Sequence, residues 1–180
     1  MKRAELEHIL RASKSITGET EFIIVGSQSI LGAYPDAPRE LRQSMEVDLY
    51  PKHRPELAIM IEGSLGELSV FEATFGYRAD GVAPETAVLP AGWQERLLRV
   101  QSENTQGAIG WCLEPHDLAF SKLAARREKD LKFVAGLIRF RLISAAKLKG
   151  LIANQAEPQA ARLGEALTIC LTKNRDERDH

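Results

Sequence analysis

The sequence predicts an α+β protein, a mixed sheet with flanking helices followed by an all-helical C-terminal part. Short apolar runs of strand type, such as residues 22–25 (FIIV) and 109–113 (IGWCL), are confined to the first 113 residues. From Glu114-Pro115-His116-Asp117 onward the apolar spacing is helical, and proline beside acids marks a helix start. Strands first and helices afterwards argue against a doubly wound parallel sheet. Neither G-x-G-x-x-G nor a P-loop sequence is present, which disfavours Rossmann-type and Walker-type nucleotide binding.

Taken in order, residues 3–13 read as a helix with Leu6, Ile9 and Leu10 on one stripe, ended near Gly18. Residues 22–25 have the β-branched, uninterrupted apolar pattern of a central strand covered on both faces. Gly26-Ser27 then turns into a short helix, 28–34, whose unpaired first amides suit an anion. Pro35 and Pro38 open a loop, and residues 39–43 add a helical turn. A second strand, 46–50, carries Glu46 and Asp48 between apolar Met45, Val47 and Leu49. Residues two apart in a strand share a face, so the two carboxylates converge, which like charges do not favour without a cation.

Residues 56–63 suit a helix, with a strand as the alternative for LAIMI. Residues 69–77 (SVFEATFGY) suit a strand by their β-branched and aromatic content. Residues 78–82 read as a turn or bulge, 86–90 as a short strand and 109–113 as another. Helices are expected over 116–127, 130–140, 143–154 and 158–172, and residues 175–180 as a loose charged tail. The expected division is a core of 1–113 and a helical part, 114–180, packed on it.

Composition bounds the function. At 180 residues, 44% apolar and 27% charged, the chain can bury a full core without staples. Cys112 and Cys170 are far apart, without C-x-x-C spacing, so neither zinc nor a structural disulfide is indicated. No run approaches the roughly 18 apolar residues of a membrane span, and the N-terminal segment lacks an apolar signal core. A cytoplasmic protein without a membrane partner is expected. The net charge of −1 hides an acidic first half and a basic second half. Between Lys122 and Lys149, nine basic residues face two acidic ones, as suits a site where metal and polyanion meet.

The apolar strand, Gly26-Ser27, helix, then Glu46-Val47-Asp48 resembles the minimal nucleotidyltransferase fold of the DNA polymerase beta superfamily. Residues 114–134 (EPHDLAFSKLAARREKDLKFV) are similar to the K-x-x-A-x-R-x-x-x-D segment of the AbiEii-type toxin nucleotidyltransferases and their uncharacterised bacterial relatives. Lys122, Ala125 and Arg127 match it, and Asp130, one position early, stands for its acid.

The resemblance implies attack of a hydroxyl on the α-phosphorus of a nucleoside triphosphate, with Mg²⁺ or Mn²⁺ held by carboxylates. Glu46, Asp48 and a third acid would be the metal ligands and catalytic residues. Asp80 is the choice for the third, because the family takes it from a neighbouring strand, and Glu72 is the alternative. Gly26, Ser27 and the adjacent amides would hold phosphates. Lys122 with Arg126 or Lys129, spaced as one helix face, would neutralise the triphosphate. Two departures stand out: Glu46 replaces the usual Asp, and the 19 positions from Ser27 to Glu46 exceed the usual gap. The implied acceptor is an RNA, tRNA in particular, or a protein hydroxyl. The implied setting is the toxin half of a toxin–antitoxin or phage-defence pair, with a cognate antitoxin as partner. The alternative function is a degenerate nucleotidyltransferase domain that binds nucleotide, RNA or a partner protein. His53 and His116 read as surface or capping residues, and Trp93 as a packing residue with base stacking as the alternative.

Overall fold

The computed structural model describes residues 1–176, which form seven α-helices and one five-stranded sheet. The chain divides into two compact units. The first holds Met1–Ala87 and Gln94–Glu114; the second holds Val88–Trp93 and the chain from Pro115.

In the first unit, α1 (Arg3–Thr17) is followed by β1 (Glu21–Ile24), β2 (Glu46–Pro51), α2 (Ala58–Leu65), α3 (Val70–Phe75), β3 (Arg78–Gly81), β4 (Leu98–Val100) and β5 (Ile109–Cys112). The strand order is β3-β2-β1-β5-β4, so the apolar strand β1 is central, as its composition predicts. It pairs antiparallel with β2 and parallel with β5, while β2 and β3 run parallel. This mixed sheet with flanking helices is the α+β arrangement expected.

One face of the sheet is sealed by burial of Phe22, Ile24, Val47, Leu49 and Ala79, all wholly inaccessible. Each of these side chains larger than that of Ala79 contributes roughly 1.5–3 kcal/mol when taken from water. Helix α1 packs here through Leu6, Ile9 and Leu10; a β-carbon at Gly110 would meet Leu10 Cδ1 at 2.8 Å. At the β3 edge, a β-carbon at Gly81 would fall 1.9 Å from the Ala58 carbonyl oxygen, so α2 lies directly on that strand. The Gly81 amide donates to Glu62 Oε2 at 2.9 Å, so this amide of the edge strand is satisfied from α2.

Several local expectations are corrected. Residues 69–77 are not a strand: Ser69 caps α3 by accepting from the Glu72 amide (3.0 Å), and Gly76 ends it with φ 75°. These two stops outweigh the strand preference of Val, Phe and Thr. The supposed turn at 78–82 is the strand β3, made by pairing with β2. No strand forms at 86–90; Pro84 instead starts a 3₁₀ turn, Pro84–Thr86. Strand β4 was not expected: Leu98-Arg99-Val100 is too short to show a period of its own.

The second unit contains α4 (Pro115–Ala125), α5 (Glu128–Arg139), α6 (Ala145–Ala153) and α7 (Gln159–Asp176). Its buried residues include Leu131, Val134, Leu148, Leu163 and Cys170. Helix α7 runs past the expected end at Thr172, so the tail expected to be loose is helical to Asp176; residues 177–180 lie outside those described. Among the described residues no helix is long and apolar enough to cross a membrane.

Candidate active site

Opposed residues on paired strands point to one face. The β2–β3 register sets Glu46 opposite Arg78 and Asp48 opposite Asp80. Glu46, Asp48, Arg78 and Asp80 therefore share the face opposite the one that buries Val47, Leu49 and Ala79. Asp80 stands within β3, beside Asp48, and not in a turn.

The Gly26 turn is built against this face. The Val25 amide donates to the Asp48 carbonyl (3.0 Å), and a β-carbon at Gly26 would lie 1.6 Å from Asp48 Oδ2. The missing side chain is what admits the carboxylate. Ser27 opens a 3₁₀ helix, Ser27–Gly32, where the sequence predicts an α-helix over 28–34. So short a run aligns few peptide dipoles, so the anion-holding role expected of its first amides is weakened.

Two residues not singled out from sequence brace the turn. Gln28 Nε2 donates to the Ser44 carbonyl (3.1 Å), tying the turn to the approach of β2. Buried Ser29 donates to the Ile24 carbonyl (3.1 Å) and accepts from the Leu113 amide (2.5 Å), bridging the ends of β1 and β5. The signal was the polar run Ser27-Gln28-Ser29 set between the apolar runs 22–25 and 30–31.

Arg78 is the cation among these acids. Its Nη2 reaches Glu46 Oε2 at 2.6 Å, Nε reaches Asp80 Oδ1 at 2.9 Å, and Nη1 reaches Glu72 Oε1 at 3.1 Å. Each guanidinium nitrogen thus serves a different carboxylate. The hydrogen bond to Asp80, more than those to the others, raises the Arg78 pKa against the opposing effect of burial. Glu72, the alternative third ligand, belongs to α3. Its carboxyl is held below the ordinary range, first by the Leu68 amide (2.7 Å) and then by Arg78. Arg78 was missed because its role depends on pairing with a strand 32 positions away.

The donor set suits a hard divalent cation in kind. Glu46, Asp48 and Asp80 offer only carboxylate oxygens, the Gly26 cradle gives Asp48 room, and a guanidinium already stands in as a cation. As arranged, however, no three His, Cys, Asp or Glu side chains among the described residues are grouped to hold a metal ion. Arg78 draws Glu46, Glu72 and Asp80 to separate nitrogens.

In the second unit the expected cationic stripe is broken. Arg126 adopts φ 56° and closes α4, its amide donating to the Lys122 carbonyl (3.0 Å), and Arg127 caps α5. Lys122, Arg126 and Lys129 are therefore not one helix face. Lys122 Nζ pairs with Asp130 Oδ1 at 3.1 Å, and Arg127 Nε with Asp130 Oδ2 at 2.6 Å. Asp130 is 1% exposed; burial is the strongest single influence and would raise its pKa, but the bonds and charges of Arg127 and Lys122 together hold it below the ordinary value. Arg126 pairs with Glu165 (3.0 Å), while Lys129 is exposed. His116 is buried and not at the surface: its Nε2 accepts from the Ser144 amide (2.9 Å), while the cap of α6 is the Ser144 hydroxyl, which accepts from the Lys147 amide. His53 is exposed beside Glu21.

A mixed five-stranded sheet with a Gly-Ser turn set against an acid-bearing strand is consistent with the minimal nucleotidyltransferase fold. The chain belongs to a family described as nucleotidyltransferase of unknown function (DUF6036), whose model matches residues 4–167. No curated protein and no solved structure matches it.

Proposed function

We propose that the protein is a metal-dependent nucleotidyltransferase that moves a nucleoside monophosphate from a triphosphate to a hydroxyl of RNA or protein. The observation that carries this reading is the placement of Glu46, Asp48 and Asp80 on one face of adjacent strands, with Gly26 making room for Asp48. Mg²⁺ or Mn²⁺ bound there would stabilise charge on the attacking and leaving oxygens. Glu46, Asp48 and Asp80 would hold the ion, and Ser27 with its neighbouring amides would orient phosphate oxygens. The tRNA-like acceptor, the toxin role and a cognate antitoxin rest on the resemblance to AbiEii-type enzymes alone.

The test is label transfer from each α-³²P nucleoside triphosphate, with Mg²⁺ or Mn²⁺, to total RNA and to the protein itself. Label with the wild type and none with Asp48→Ala supports the reading.

A second reading is a non-catalytic nucleotide- or RNA-binding module. The engagement of Glu46 and Asp80 by Arg78 favours it. Absence of label, with triphosphate binding that survives Asp48→Ala, would replace the first reading with this one.

A further inference from the structure

We propose that Arg78 is a resident counter-cation that a divalent metal must displace, with Glu72 as the partner that keeps hold of it. This rests on the metal-site reading above. The guanidinium takes an oxygen of Glu46 and of Asp80, two of the three acids assigned to the ion. A metal and Arg78 therefore compete for the same carboxylates. The third contact is different in kind. Glu72 stands on α3, off the sheet, and its other oxygen is fixed by the Leu68 amide at 2.7 Å. Arg78 can thus release Glu46 and Asp80 while Glu72 retains Nη1, and the guanidinium need not return unpaired to solvent.

The arrangement has two consequences. Without metal, the repulsion among acids on one face is relieved by an internal cation, so the strands pair without a bound ion. With metal, affinity is set low by the competitor, so occupancy favours an ion arriving with a polyphosphate that supplies further oxygens.

The test is Mn²⁺ binding, read from the electron paramagnetic resonance signal of the free ion, with no substrate present. Arg78→Lys keeps the charge but not the three-way fork. Giving up two partly exposed ion pairs, each worth at most about fivefold, predicts about tenfold tighter Mn²⁺ binding in Arg78→Lys. Asp48→Asn should abolish binding in both backgrounds. Asp48-dependent binding of equal strength in wild type and Arg78→Lys would overturn the competition and leave the metal site standing. No binding in any variant would overturn both.

A second readout needs only the wild type. Titration with diamagnetic Mg²⁺ should shift the Arg78 Nε–H resonance and speed its exchange with solvent. An unmoved resonance at saturating Mg²⁺ would also overturn the competition.

Discussion

Gly26 and Asp48 occupy complementary space: the β-carbon that glycine lacks would lie 1.6 Å from the Asp48 carboxylate oxygen. Gly26 has φ −80°, a conformation open to any residue, so it is the neighbour and not the backbone that demands glycine. Gly26→Ala should therefore destabilise the protein by about 1–3 kcal/mol through overpacking. Combined with Asp48→Ala, most of that loss should disappear, a coupling read from urea midpoints in a double-mutant cycle. Strict additivity would mean the contact has no energetic weight.

Asp130 predicts an acid limb in stability. Its folded pKa lies below the unfolded value, so its contribution is fully present above about 3.8 and is lost as pH falls through the folded pKa. Lys122→Met leaves the buried carboxylate with Arg127 alone and should cost about 1–3 kcal/mol at neutral pH. That cost should shrink below pH 3.8 as Asp130 is protonated, measured by urea unfolding across pH.

Leu68 is 93% exposed and adopts φ 63°, a left-handed conformation costly for a branched side chain. Leu68→Asn should raise the urea midpoint, worth about 0.5–1 kcal/mol, because asparagine tolerates that region. Its amide should continue to hold Glu72.

Burial pushes the Cys112 thiol up to about 12 and the Cys170 thiol up to about 11. Both should resist a disulfide exchange reagent in the native protein, since thiolate is the reactive form. Their modification should follow the rate of unfolding, and fast native-state labelling of either would contradict the burial.

Much of the fold was legible because its signals are local. The apolar run before Gly26, the Glu46-x-Asp48 alternation and the proline-marked helix start are written in short segments, and β1, β2, β5 and α4 follow. Strand β3 was illegible because Arg78-Ala79-Asp80-Gly81 has turn composition, and only its pairing with β2 extends it. In α3 the strand preference of the side chains was overruled by the Ser69 cap and the Gly76 stop. Of the candidate face, the sequence shows its acids better than its cation. The acids Glu46 and Asp48 are named by alternation, whereas the cation between the acids depends on a register no local pattern encodes. The basic stripe after Lys122 assumed one continuous helix, and Arg126 breaks it.

Gly81 sets the frame in which β3 is read. Its seat under the Ala58 carbonyl admits no side chain, so β3 cannot slide along β2 by one residue without forcing Asp80 or Val82 into that seat. Such a slip would turn the strand over, hide Asp80 in the apolar layer and set Ala79 or Gly81 beside Asp48. The position that decides whether an acid stands next to Asp48 is thus a glycine with no chemistry of its own. Substitutions under α2 would then alter the face by misframing it, with every acid still present in the sequence.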